Sequence, residues 1–169
     1  MTNHQWLLAK EFRFEAAHKL PYHDGKCSRL HGHSWRGVVY VAGDTLITTG
    51  AKQCMVMDYS DIKKYLKPLL ENYLDHYYLN ESMGLESPTS EAIAAWIYEK
   101  LEQAGLAGLT AVRIDETCTS ICLYSKTRIS GWLNSGESLN LLQSRQNDDV
   151  KIPRSEDAGI SEESTKELS

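Results

Sequence analysis

A chain of 169 residues, 41% hydrophobic and 24% charged, has the apolar content for one core and too little length for two full domains. A net charge of −5 without a long basic run argues against a nucleic-acid-binding surface, and no stretch approaches the roughly 20 apolar residues of a membrane helix. The start, Met1-Thr2-Asn3-His4-Gln5-Trp6, lacks the charged and apolar blocks of a secretory signal, so Cys27, Cys54, Cys118 and Cys122 are expected to be reduced thiols in a cytoplasmic protein.

Trp6 to Phe14 alternates in part, with Phe12 and Phe14 on one side, and reads as a strand; Ser34 to Val41 is a second, with Trp35, Val39 and Val41 on one face. Between them lies a polar loop, Lys19 to His33. Cys54-Met55-Val56-Met57 is a short apolar run, with Cys54 expected in the core. Ser60 to Tyr73 reads as a helix from the spacing of Ile62, Leu66, Leu69 and Tyr73, with Pro68 expected to kink or interrupt it. Leu74 to Met83 reads as a loop. A second helix starts near Ser87-Pro88-Thr89, with capping hydroxyls, a proline suited to the first helical position, an apolar stripe of Ile93, Ile97 and Leu101, and Gly105 as its stop.

Thr110 to Thr117 and Ser120 to Lys126 complete the order strand, strand, helix, helix, strand, strand. This predicts an α+β domain with two helices on one face of a four-stranded antiparallel sheet. After Arg128 the apolar content thins, and from Ser144 there are seven acidic and four basic residues and no aromatics. Residues 1–127 are therefore expected to form the domain and 128–169 a flexible C-terminal extension.

The densest chemical cluster is His31-Gly32-His33. In an extended segment residues i and i+2 point the same way, so both imidazoles can reach one ion. His18 follows the first strand, near where a hairpin would bring the other two. Three converging histidines match an open catalytic zinc site, whose remaining position takes water or substrate. The plainer reading is a set of loop histidines making local hydrogen bonds, to which His23 is left. Cys27, four residues before His31, would be either a fourth ligand that closes the site or a thiolate base beside it. Asp75-His76 is either a proton-transfer pair or a solvated loop. Glu116 shares a face with Val112 and Ile114, and would either accept hydrogen bonds from the amino and ring N–H groups of a pterin or guanine or be an exposed strand-end charge. Glu91 suits the first turn of a helix. Cys118 and Cys122 read as plain thiols.

Taken in order, Phe14-Glu15-Ala16-Ala17-His18, Cys27-Ser28-Arg29-Leu30-His31-Gly32-His33, Leu74-Asp75-His76, Pro88-Thr89-Ser90-Glu91 and Glu116-Thr117 resemble the 6-pyruvoyl-tetrahydropterin synthase superfamily. The short gap between Cys27 and His31 resembles its bacterial branch, the 6-carboxy-5,6,7,8-tetrahydropterin synthases of queuosine biosynthesis. The resemblance covers roughly residues 8 to 127.

It implies the tunnelling fold, in which subunits join their sheets into barrels, usually as a homohexamer with sites at subunit interfaces. It implies Zn2+ on His18, His31 and His33, Cys27 as the base, and Asp75 and His76 of a neighbouring subunit as its proton relay. Glu116 would anchor the pterin, helped by Thr89 or Thr117. The implied reaction converts 7,8-dihydroneopterin triphosphate to 6-carboxy-5,6,7,8-tetrahydropterin, acetaldehyde and triphosphate; from charge alone, and not from the resemblance, Lys19, Lys26 and Arg29 of the same loop are candidates to meet the triphosphate. Two alternatives stand beside it. The 6-pyruvoyl reaction would leave the side chain uncleaved, and a zinc-stabilised binding module would use Cys27 as a fourth ligand. Neither nucleic acid nor membrane is an implied partner.

Overall fold

The computed structural model describes residues 5–127, all within the first of the chain's two units, Met1–Trp132. The expected extension, 128–169, lies outside the described residues. Strand β1 runs Trp6–His18, and its alternation buries Phe12, Phe14, Ala16 and His18 while Arg13 and Glu15 point outward. Strand β2, His31–Gly43, pairs antiparallel with its whole length, from Trp6 opposite Gly43 to His18 opposite His31. Directly paired residues share a face, so Trp35, Val39 and Val41 extend the apolar surface begun by Phe12 and Phe14. His31 and His33 therefore belong to a strand, and not to the polar loop in which the sequence pattern leaves them.

Helix α1, Tyr59–Leu69, begins at Asp58, whose Oδ1 accepts from Ser60 N–H at 2.7 Å. Its apolar stripe is Ile62, Leu66 and Leu69. The α ladder runs through Pro68, where a kink or interruption is expected, and the irregularity comes just after it, as a π turn at Leu70–Leu74. The supposed loop that follows holds a two-residue strand β3, Tyr77–Tyr78, and a one-turn helix α2, Leu79–Ser82. Helix α3, Ser90–Gln103, is capped by Thr89, with Pro88 one residue before the cap instead of at the first helical position. Gly105, at φ +83°, follows its end. Strands β4, Leu109–Thr117, and β5, Ser120–Tyr124, form the closing hairpin.

The sheet order is β3-β1-β2-β4-β5. The sheet has five strands where four are expected, and β3 runs parallel to β1, which makes it mixed. Helices α1 and α3 cover one face, where Ile62, Leu66, Ile93, Ile97 and Leu101 pack with Phe12, Phe14, Val39, Val112 and Ile114. The opposite face carries Val38, Tyr40 and Ala111 beside an ion-pair ladder, in which Arg113 grips Asp115 bidentately (2.6 and 2.9 Å) and Arg36 bridges Glu11 (2.8 Å) and Asp115 (3.4 Å). Cys54, expected in the core, is exposed at φ +66°. Its segment is tied instead by main-chain bonds between Ile47 and both Cys54 and Met55.

Gly37 lets the Phe12 ring lie flat across β2, since a Cβ there would stand 2.1 Å from Phe12 Cζ. The Gly37→Ala variant should lose about 1–3 kcal/mol of stability, the usual cost of overpacking a filled core; urea unfolding checks this, and an unchanged midpoint would contradict the packing.

Candidate metal centre

The β1–β2 register places His18 and His31 opposite each other at one end of the helix-covered face, with His33 two residues on. Glu116, next-but-one after Ile114 on β4, brings a carboxylate to the same end. Trp35 forms the floor, its ring edge-on to His18 and His33 at centroid distances of 5.0 and 5.2 Å and its Nε1–H donating to Ala16 O. One ligand atom from each of His18, His31, His33 and Glu116 falls within 4.8 Å of all the others, so the group could hold a metal ion.

Protonation follows from the partners. His18 Nδ1–H donates to the Pro88 carbonyl at 2.9 Å, and His31 Nδ1–H donates to the Arg29 carbonyl at 2.7 Å. A carbonyl only accepts, so Nδ1 carries the proton in both rings and each neutral ring turns an Nε2 lone pair inward. Those two Nε2 atoms are 3.0 Å apart, a separation that needs a cation or a proton between them. His33 Nε2 is buried without a hydrogen bond, and lies 3.3 Å from Glu116 Oε1, which also stands 3.5 Å from His18 Nε2. A shared cation resolves the close approach of these atoms, and a set of three imidazoles suits an open zinc site with Glu116 beside it.

Burial pushes the imidazoles of His18 and His33 below the ordinary histidine value, against the opposing pull of the Pro88 carbonyl on His18 and of Glu116 on His33. Lowered basicity keeps the Nε2 lone pairs available near neutrality.

Glu116 Oε2 accepts from Ser90 Oγ at 3.2 Å. Ser90, the first residue of α3, is a site residue that sequence reasoning missed; its signal was its place in Pro88-Thr89-Ser90-Glu91. Of the residues expected to help bind substrate, Thr89 spends its hydroxyl capping Ala92 N–H, and the Thr117 hydroxyl meets Thr119 in the β4–β5 turn. Cys27, a half-buried free thiol in a short 3-10 turn at Lys26–Ser28, lies outside the four-residue cluster.

Asp75 and His76 also lie outside it. Asp75 Oδ1 accepts from Glu15 N–H at 3.0 Å, which holds its carboxyl below the usual range, and its Oδ2 is 3.1 Å from His76 Nδ1. His76, at φ +66°, turns its ring into solvent while its N–H donates to Glu15 O. His76 and His33 border one groove of about 530 Å³, whose walls also include Glu15, Ala16 and Tyr78.

With both imidazoles depressed, the folded chain binds fewer protons than the unfolded chain once pH falls below about 6.5, so metal-free protein should lose stability through that window. Urea unfolding at about pH 7.5 and about pH 5.5 should give the lower midpoint in acid. A His18→Gln, His33→Gln double variant should lose most of that difference.

The family model described as 6-pyruvoyl tetrahydropterin synthase matches residues 7–127. A Synechocystis protein named 6-carboxy-5,6,7,8-tetrahydropterin synthase is 64% identical over 125 residues, covering 74% of this chain and 97% of the relative. A Haemophilus influenzae protein of the same name is 33% identical, covering 70% of this chain and 98% of the relative. The solved 6-pyruvoyl tetrahydropterin synthase of Caenorhabditis elegans superposes with a TM-score of 0.62 at 26% identity, over 73% of this chain and 96% of that one.

Proposed function

Since the chain belongs to the 6-pyruvoyl tetrahydropterin synthase family, we propose that it is the lyase that converts 7,8-dihydroneopterin triphosphate and one water to 6-carboxy-5,6,7,8-tetrahydropterin, releasing acetaldehyde and triphosphate, in queuosine biosynthesis. The observation that carries the chemistry is the convergence of three inward-facing Nε2 atoms with a carboxylate, in a chain 64% identical to a protein of that name.

His18, His31 and His33 would hold zinc, which when bound acts as a Lewis acid on the substrate's side-chain oxygens and makes the neighbouring C–H more acidic. The chain's own groups do the rest. Cys27, as a thiolate, takes the side-chain proton. The Asp75–His76 pair relays it: the carboxylate orients Nδ1 and leaves the other ring nitrogen to exchange a proton. Glu116 anchors the amino and ring N–H groups of the pterin, with its second oxygen fixed by Ser90.

The exposed His76 ring lies outside the metal cluster of its own chain, which supports a homo-oligomer, a hexamer in our reading, in which the Asp75–His76 pair serves a neighbouring subunit. The sheet face left open by the helices suits the barrel of such an assembly. The four free cysteines and the want of any membrane-length helix among the described residues favour a cytoplasmic enzyme.

Anaerobic incubation of zinc-loaded protein with 7,8-dihydroneopterin triphosphate should yield 6-carboxy-5,6,7,8-tetrahydropterin and acetaldehyde, identified by mass spectrometry. A pyruvoyl product without acetaldehyde would overturn the assigned cleavage. No turnover with zinc bound would overturn the enzyme reading.

The Cys27→Ala variant should keep its zinc and lose turnover by at least about a hundredfold, the scale of a general base. Zinc lost together with the fold would instead make Cys27 a structural ligand.

A further inference from the structure

Among the described residues, one side chain outside the site just assigned makes three hydrogen bonds that all bear on a ligand of the cluster. Asn80, in the single turn of α2, accepts from Lys19 N–H through Oδ1 at 3.0 Å. Its Nδ2 donates to Lys19 O at 2.9 Å and to Glu86 O at 2.8 Å. The amide can face only one way, because one main-chain donor meets its oxygen and two main-chain acceptors meet its nitrogen.

The two segments it joins meet again at His18. Lys19 directly follows His18, and Glu86 is two residues before Pro88, whose buried carbonyl accepts from His18 Nδ1–H. That bond decides which nitrogen of the ring faces the cluster. The acceptor belongs to the main chain, so no side-chain substitution removes it; its position depends on what holds residues 86–88 beside residues 18–19. A second link between these stretches, from the Tyr22 hydroxyl to the Glu86 carboxylate, joins exposed side chains at the surface.

We infer that Asn80 is a positioning residue for the metal cluster: by tying Lys19 to Glu86 it keeps the Pro88 carbonyl on His18 Nδ1, and so keeps His18 Nε2 aimed at the ion. This rests on the metal reading above. Asn80 touches neither the cluster nor the groove, and its role is confined to the geometry of His18.

The test is zinc affinity of the full chain, measured by chelator competition alongside thermal unfolding of the zinc-free form. Asn80→Ala should weaken zinc about tenfold, the lower end of what loss of an outer-sphere partner costs. Ser82→Ala is the matched control. It removes a bond of the same kind from the same helical turn, Ser82 Oγ–H to Tyr73 O at 2.6 Å, that leads nowhere near His18. It should leave zinc affinity unchanged, whatever it does to the melting temperature. Should Asn80→Ala fail to fold, Asn80→Asp carries the same readout, because it keeps the acceptor for Lys19 N–H and loses both donated bonds; it too should bind zinc more weakly. Equal zinc affinity in wild type and the Asn80 variants overturns the inference, as does equal weakening in the Ser82 control. Wild-type protein that takes up no zinc overturns the metal reading, and this inference with it.

Discussion

The site depends on the register of one strand pair. Side chains along a strand alternate faces, so a slip of a single residue between β1 and β2 would carry His31 and His33 to the face opposite His18. What prevents the slip is the core. Phe12, Phe14 and Ala16 on β1 and Trp35, Val39 and Val41 on β2 must all face α1 and α3 at once, and a shift would turn one of these sets into solvent. The stacking of Phe14 on Trp35, at a centroid distance of 5.9 Å, pins the pair two steps short of the histidines. Apolar packing and ligand placement are thus one constraint, because the histidines continue the pattern that the aromatics begin.

Much of this was legible in the sequence, and for the same reason. Period-two alternation marks a buried face without needing to know what covers it, so the four long strands, the two main helices and the convergence of His18, His31 and His33 could be read from spacing. The alternation at Glu116 likewise put it on the face of Val112 and Ile114, where it meets the histidines. The resemblance of the motif set to a known family supplied the substrate and the roles, which periodicity cannot.

The parts that were not legible are those settled by main-chain partners. Strand β3 is two residues long and is defined by where Tyr77 and Tyr78 lie against Ala16 and Ala17, a contact across some sixty residues with no local pattern. The polar composition around His31 reads as loop, yet pairing with β1 extends β2 to include it. Cys54 sits in an apolar run that suggests burial, but its positive φ belongs to a turn that leaves the thiol in solvent. Ser90, Pro88 and Asn80 matter through hydrogen bonds to groups that only the fold brings near. Pro88 is the clearest case: its ring reads as a helix signal, whereas its carbonyl fixes a histidine tautomer.

The burial of the cluster is uneven, and that unevenness gives the site a direction. The His18 side chain is 0% exposed, closed in by Trp35 below and the Pro88 carbonyl behind, whereas His33 is 20% exposed and Glu116 23%. An ion held here would be covered from the His18 side and approachable from the side of His33 and Glu116. A closed structural site would instead enclose its ion on every side. Of the cluster residues, His33 also borders the groove that His76 lines. The chain so arranged sets the buried histidine and its main-chain acceptor apart from the more open side of His33 and Glu116.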